Sequence, residues 1–175
     1  MSKRIFIAID LKHLNLNIHS ENKNIIFFPH DNYHVTLSFL GQLEEEEIEL
    51  LEHLLGMIVL NYSPFEILLT QLGRFNNIIW IGVSKVDVLM KLQDNIFEIL
   101  KANNFPLDEK PYLPHLSIGK IRGEKLNLNE ISFSNVGPIA ISEICIFRSQ
   151  TGPPFPLYRI ERKFKLRGEV PLSRI

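Results

Sequence analysis

Cysteine is almost absent: Cys145 is the only one in the chain. A single thiol cannot close an internal disulfide or build a cysteine-based metal cluster. In "EICIFRS" it alternates with Phe147, which reads as a small buried core residue. Long apolar runs are also missing, and "MSKRIFIAID" reaches Asp10 too soon to read as a leader peptide. A reducing, cytoplasmic setting follows as the expectation. Net charge is close to zero, at −1, so no global field draws in nucleic acid or a membrane surface. No glycine-rich loop follows a strand and opens a helix, which argues against dinucleotide and P-loop folds. What remains is 175 residues, 45% of them hydrophobic. That suits one domain spanning 1–175, or two small lobes sharing an interface.

Charge is unevenly spread. Lys and Arg outnumber Asp and Glu from Lys101 onward, and the reverse holds before it. The densest basic stretch, "YRIERKFKLRGE" (158–169), reads as a solvated edge strand whose cations discourage edge pairing, with a local anion-binding face as the rival. Strands are expected at "RIFIAID", "NIIFFP", "NYHVTLSFLG", "PFEILLTQLGRF", "NIIWIGV", "PHLSIGKIRG", "VGPIAISEICIFRS" (two strands with a bend near Ser142 and Glu143) and "LYRIERKFKL". Ile48, Leu51, Leu54 and Leu55 set a helical period behind Glu44–Glu47, whose carboxylates suit a helix N-terminus better than a metal. A second helix carries Val88, Leu89, Leu92, Ile96, Ile99 and Leu100. A short helix is expected in "EKLNLNEIS", and another between "RIFIAID" and "HVTLSFLG". The halves then read as degenerate copies: strand, helix, histidine strand. His13, His19 and His53 are expected in or near helices at the surface, and His30 in a turn.

Two stretches carry chemistry. In "NYHVTLSFLG" (32–41), His34, Thr36 and Ser38 fall on one face and Val35, Leu37 and Phe39 on the other. In "PYLPHLSIGK" (111–120), His115 and Ser117 share a face while Leu116 and Ile118 anchor the opposite one. Two imidazoles across a groove allow one to take a proton and the other to give one at neutral pH. Two hydroxyls beside them can donate to non-bridging phosphate oxygens as charge builds there. A phosphodiester is the natural substrate for such a set. A zinc site is the weaker reading, since no third ligand stands out.

These tetrads, "HVTL" and "HLSI", resemble the paired signature of the two-histidine phosphoesterase superfamily. The flanks "RIFIAIDL", "FFPHDNYHVTLSFLGQL", "IIWIGV", "EKPYLPHLSIGKIR" and "SEICIFRSQTGPPFPLYRIERKFKL" fall in the family's order over essentially the whole chain. The branch that matches best is the RNA 2',3'-cyclic phosphodiesterases, also named 2'-5' RNA ligases. The resemblance implies an α+β, bilobal, pseudo-duplicated fold: two antiparallel sheets flanked by helices around a central cleft. It implies metal-independent opening of a 2',3'-cyclic phosphate at RNA 3' ends to a 2'-phosphate, with no cofactor, by a monomer without membrane association. tRNA-derived ends are one source of such RNA. By position His34 matches the proton donor, His115 the proton acceptor, and Thr36 and Ser117 the phosphate-holding hydroxyls. The family's arginine five residues beyond the second His is Lys120 here; a lysine keeps the charge but not the bidentate contact. Arg122 is the other candidate. Strand parity points both away from His115 unless a bulge intervenes near Gly119. Phe28, Tyr33 and Tyr158 are candidates for base stacking. The competing functions are a 2'-5' RNA ligase, a hydrolase of another small cyclic phosphate, and a non-catalytic RNA-end-binding module.

Overall fold

A strand that must bury one face and bare the other needs a sheet with helices on one side only, and the computed structural model has that arrangement. It describes residues 1–123, 125–134 and 136–168. Residue 124, which opens the segment expected to form a short helix, and residues 169–175, which include the end of the basic stretch, lie outside the described residues. The elements run β1 (Lys3–Asp10), β2 (Ile18–Ser20), β3 (Ile25–Phe27), β4 (His34–Leu43), α1 (Glu45–Ile58), β5 (Phe65–Ile67) and β6 (Leu69–Phe75). They continue β7 (Ile78–Val83), α2 (Asp87–Ala102), β8 (His115–Ile121), β9 (Ile131–Phe133), β10 (Ile139–Ile141), β11 (Glu143–Gln150) and β12 (Leu157–Lys165).

The main sheet is antiparallel throughout, in the order β12-β11-β1-β4-β8-β7-β6, with β3 pairing the far end of β8. Its two wings, β12-β11-β1-β4 and β8-β7-β6, meet through a single ladder pair, Val35 opposite Leu116. The expected two antiparallel halves are these wings. Two small ribbons, β10-β5 and β2-β9, complete the strands. As expected, β12 is an edge, and two of its cations are paired: Lys163 with Glu143 and Arg162 with Glu52.

Side-chain alternation sorts the sheet into two faces. From β1, Ile5, Ile7 and Ile9 point into the main core with Ile48, Leu51, Leu55, Leu89, Leu92, Ile96 and Leu100 of the helices. Phe6 and Ala8 point the other way, into a smaller cluster with Cys145 and Phe147. Cys145 is fully buried there, and burial pushes its thiol up to about 12, which makes it inert. Helix α1 begins with a capping box: the Glu44 side chain accepts from the Glu47 backbone N–H while the Glu47 side chain accepts from the Glu44 N–H.

Several expectations need correction. No helix joins β1 to β4; that segment holds β2, β3 and a 3-10 turn over His30–Asn32. His19 therefore sits on β2 and His13 in a turn, and only His53 is helical. The repeat holds for the strand pairs β1-β4 and β7-β8, and only the second pair encloses a helix. Residues 125–132 hold a 3-10 turn over Leu128–Glu130 followed by the start of β9. Val88 is exposed, because Leu89, Leu92, Ile96 and Leu100 already complete the buried stripe. Phe39 leaves the apolar face for a reason given by β4 itself. Against β1, Ala8 pairs Thr36 and Ile7 pairs Ser38, so Leu37 is an extra residue; Phe6 pairs Phe39 and Ile5 pairs Gly41, so Leu40 is another. Each bulge flips the phase. The Leu37 carbonyl accepts from Gln93 Nε2 of α2 at 3.3 Å, and Gly41 takes a φ of 74° that its lack of a Cβ permits.

Candidate active site

The junction of the two wings places the two sequence motifs together. Val35 and Leu116 face each other in antiparallel register. One residue to either side, His34 comes level with Ser117, and Thr36 with His115. All four line one cavity of about 330 Å³ on the face opposite the helices. Each histidine thus sits beside the hydroxyl of the other strand.

The two rings are held in the same way. His34 Nδ1 lies 2.7 Å from the Asn32 carbonyl oxygen, and His115 Nδ1 lies 2.7 Å from that of Leu113. A carbonyl only accepts, so each Nδ1 carries the proton, and Nε2 is the titrating nitrogen. A neutral ring then offers an Nε2 lone pair; a protonated ring offers an N–H.

Their surroundings differ. The His34 ring packs against Phe6 at 5.1 Å between centroids, Tyr158 edge-on at 5.1 Å and Phe147 at 6.1 Å. Burial in this apolar box lowers its pKa, opposed by the hydrogen bond to Asn32; the His115 charge lowers it further and Asp10 raises it. The His115 ring meets Phe75 edge-on at 5.3 Å and Trp80 at 5.9 Å, in a more open setting. Trp80 lies across Gly73: a Cβ there would come within 2.1 Å of the indole.

The hydroxyls of Thr36 and Ser117 have no protein hydrogen-bond partner among the described residues, which leaves them free for a ligand. Lys120 joins them in the cavity wall through the bulge that strand parity required. On β8, Ser117 pairs Trp80 while Gly119 pairs Ile79, so Ile118 is extra and Lys120 returns to the face of His115. Gly119 is needed at this point, since a Cβ would stand 2.8 Å from the Ile26 carbonyl oxygen of β3. The Lys120 ammonium rests 5.6 Å from the centroid of the Phe155 ring.

Of the proposed aromatics, Phe28 and Tyr158 line the cavity. Tyr33 does not: alternation beside His34 turns it into the main core, where it is 5% exposed. Arg122 does not line it either; it lies past the end of β8 and is exposed, its backbone N–H donating to the Asn24 carbonyl oxygen. Sequence reasoning missed Asn32, Phe39, Ile78, Phe155 and the prolines 154 and 156 in the wall. Asn32 Nδ2 donates to the Pro156 carbonyl oxygen at 3.1 Å, tying the loop after β11 to the turn before β4. The loop sequence "GPPFP" was visible, but not where it would fold. Among the described residues no three His, Cys, Asp or Glu side chains converge to hold a metal. The set can move protons on and off while two hydroxyls and one cation hold an anion.

The chain is similar to known proteins along nearly its whole length. The chain is 28% identical over 186 residues to the RNA 2',3'-cyclic phosphodiesterase of Methanothermobacter thermautotrophicus, covering 95% of this chain and all of that one. It is 29% identical over 187 residues to the enzyme of the same name from Thermotoga maritima, covering 94% and 96%. Among solved structures, E. coli LigT complexed with 3'-AMP superposes with a TM-score of 0.77 at 20% identity, over 95% of this chain and 99% of that one. TT0787 of Thermus thermophilus does so with a TM-score of 0.77 at 21% identity, over 95% and 100%. The model of the 2'-5' RNA ligase superfamily matches residues 18–130, a span that includes both histidine strands, and the chain belongs to that superfamily.

Proposed function

We propose that this protein is an RNA 2',3'-cyclic phosphodiesterase that opens the cyclic phosphate at an RNA 3' end to a 2'-phosphate, using residues 1–175 as one catalytic domain. The observation that carries the reading is the pair of Nδ1-anchored imidazoles across one cavity, each beside an unpartnered hydroxyl. The names of the relatives in M. thermautotrophicus and T. maritima support the substrate class.

In this reaction His115 Nε2 takes a proton from water as its oxygen bonds to phosphorus. The bond from phosphorus to the 3' oxygen breaks, and that oxygen takes the proton from His34 Nε2. The products are a 2'-phosphate and a free 3' hydroxyl; solvent resets both rings. Thr36, Ser117 and Lys120 hold the non-bridging oxygens, where charge grows. His34 rests neutral in its apolar box, and the bound phosphodiester anion favours the protonated ring that the donor role needs. Phe28 and Tyr158 offer faces to the terminal base. Acid, base and anion holders are all side chains of one chain, so neither a metal nor a second copy enters the reading.

The test uses a short RNA ending in a 2',3'-cyclic phosphate, with and without EDTA, resolving 2'- from 3'-phosphate products. A 2'-phosphate formed equally in EDTA is expected; activity lost in EDTA and restored by a divalent metal overturns the metal-independent mechanism. A second reading is transfer to an RNA 5' hydroxyl in place of water. The observation in its favour is a cavity of about 710 Å³ that shares Thr36 and His115 with the site. Adding an RNA with a free 5' hydroxyl and looking for a 2'-5'-joined product separates the two.

A further inference from the structure

Two cavities adjoin the catalytic one, and they differ in charge. The cavity beside His115 contains Lys110, but Asp108 neutralises it at 3.1 Å. The cavity on the other side, of about 440 Å³, shares Phe39, Pro156 and Tyr158 with the catalytic one. Among the described residues no carboxylate lines it. Its cation is Arg4, next to the hydroxyls of Ser149 and Thr151. Lys3 and Arg148 close by are tied to Glu45 and Glu161, whereas Arg4 has no ion-pair partner among the described residues. Burial raises the pKa of the Tyr158 hydroxyl, and the Arg4 charge opposes that rise.

Alternation on β1 runs Arg4, Phe6, Ala8 and Asp10 along the cleft face, with Ala8 opposite Thr36. Arg4 is thus four residues, about 14 Å along β1, from Ala8, the residue opposite Thr36. Between them stands Phe39, 59% exposed and against Phe6 at 5.7 Å between ring centroids. Its ring reaches that surface only because β4 is bulged at Leu37. An exposed aromatic held between an anion-binding pocket and an unpaired arginine suits a strand of nucleotides.

Resting on the reaction proposed above, we infer that the Arg4 pocket holds the RNA upstream of the reacting end: the base of the penultimate nucleotide on Phe39 and a phosphate of that segment on Arg4. In-line geometry points the same way. The attacking water comes from His115, so the ribose that carries the leaving 3' oxygen, and the chain attached to it, lie on the side of His34 and Tyr158. The protein is then selective for RNA ends over free cyclic mononucleotides.

The experiment compares a trinucleotide ending in a 2',3'-cyclic phosphate with a 2',3'-cyclic mononucleotide, for the wild-type chain, Arg4→Gln and Arg4→Lys. The wild type prefers the trinucleotide in kcat/KM. Arg4→Gln lowers the ratio of the two kcat/KM values about tenfold, as expected for one lost charge-assisted contact. It also flattens the slope of log kcat/KM for the trinucleotide against log salt by about 0.7. Arg4→Lys restores the salt slope. Equal wild-type use of both substrates, or an Arg4→Gln ratio and salt slope matching wild type, overturns the inference while leaving the hydrolysis reading intact. Cleavage of neither substrate by the wild type overturns both.

Discussion

The strand of His34 and the strand of His115 share one backbone plan and two environments. Both rings donate Nδ1–H to the carbonyl two residues back at 2.7 Å, and both are followed two residues on by a free hydroxyl. Yet His34 is boxed by Phe6, Phe147 and Tyr158 from three neighbouring strands, while His115 leans on Phe75 and Trp80 at the open side of its wing. Local hydrogen bonding sets which nitrogen reacts; the packing around the ring sets how readily it holds a proton. The two copies of the motif thus meet different surroundings, and burial lowers the pKa of the His34 ring.

The sharpest way to break the comparison is to remove each ring. His34→Gln and His115→Gln are each expected to lower turnover of the cyclic substrate by about 10²–10⁴-fold. An activated aryl phosphodiester, whose leaving group needs no acid, should partly restore His34→Gln and leave His115→Gln inactive. Restoration of His115→Gln instead would exchange the two roles.

The hydroxyls should matter more equally. Thr36→Val and Ser117→Ala are expected to lose about 10²–10³ in kcat with thermal stability held near wild type. Turnover of both variants at the wild-type rate would remove their oxyanion-holding role.

Gly73→Ala addresses the His115 wing alone. The new methyl must displace the Trp80 indole, at a typical overpacking cost of about 1–3 kcal/mol. Melting temperature should fall, and in NMR the His115 ring signals should move while those of His34 stay. Unchanged His115 signals would show that Trp80 does not position that ring.

The smallest effect concerns pH. The folded pKa of His34 lies below its ordinary value of 6.5, chiefly through burial. Protonation therefore favours the unfolded chain. The stability tied to neutral His34 is complete above 6.5 and is lost as pH falls through the lowered folded value. NMR titration should find His34 below 6.5, and His34→Gln should flatten the acid limb of a melting-temperature profile. A titration at or above 6.5 would remove the apolar-box account.

Much of the fold was legible because strand and helix periods are local. Leu89, Leu92, Ile96 and Leu100 marked the buried stripe of α2, and the bend between β10 and β11 fell at Ser142, where it was expected. His34, Thr36, His115 and Ser117 were legible because an alternating strand puts i and i+2 on one face. Phe39 was assigned by strict alternation, and the bulge at Leu37 reversed the phase before it, whereas the bulge at Ile118 is the one Lys120 needed to reach the cavity. Tyr33 was chosen for its aromatic ring, but its neighbour His34 claims the cleft face, which sends Tyr33 into the core.

The sequence by itself determined that each strand would present a histidine and a hydroxyl together, since side-chain direction follows from a two-residue repeat within one segment. That β4 and β8 lie side by side, with Val35 facing Leu116, was decided by tertiary structure, because residues about eighty positions apart meet only when two wings close on one core. The same holds for the aromatic box around His34, drawn from β1, β11 and β12, and for the Arg4 pocket next to it. Burial and electrostatics at a site are sums over neighbours, and the neighbours come from distant parts of the chain.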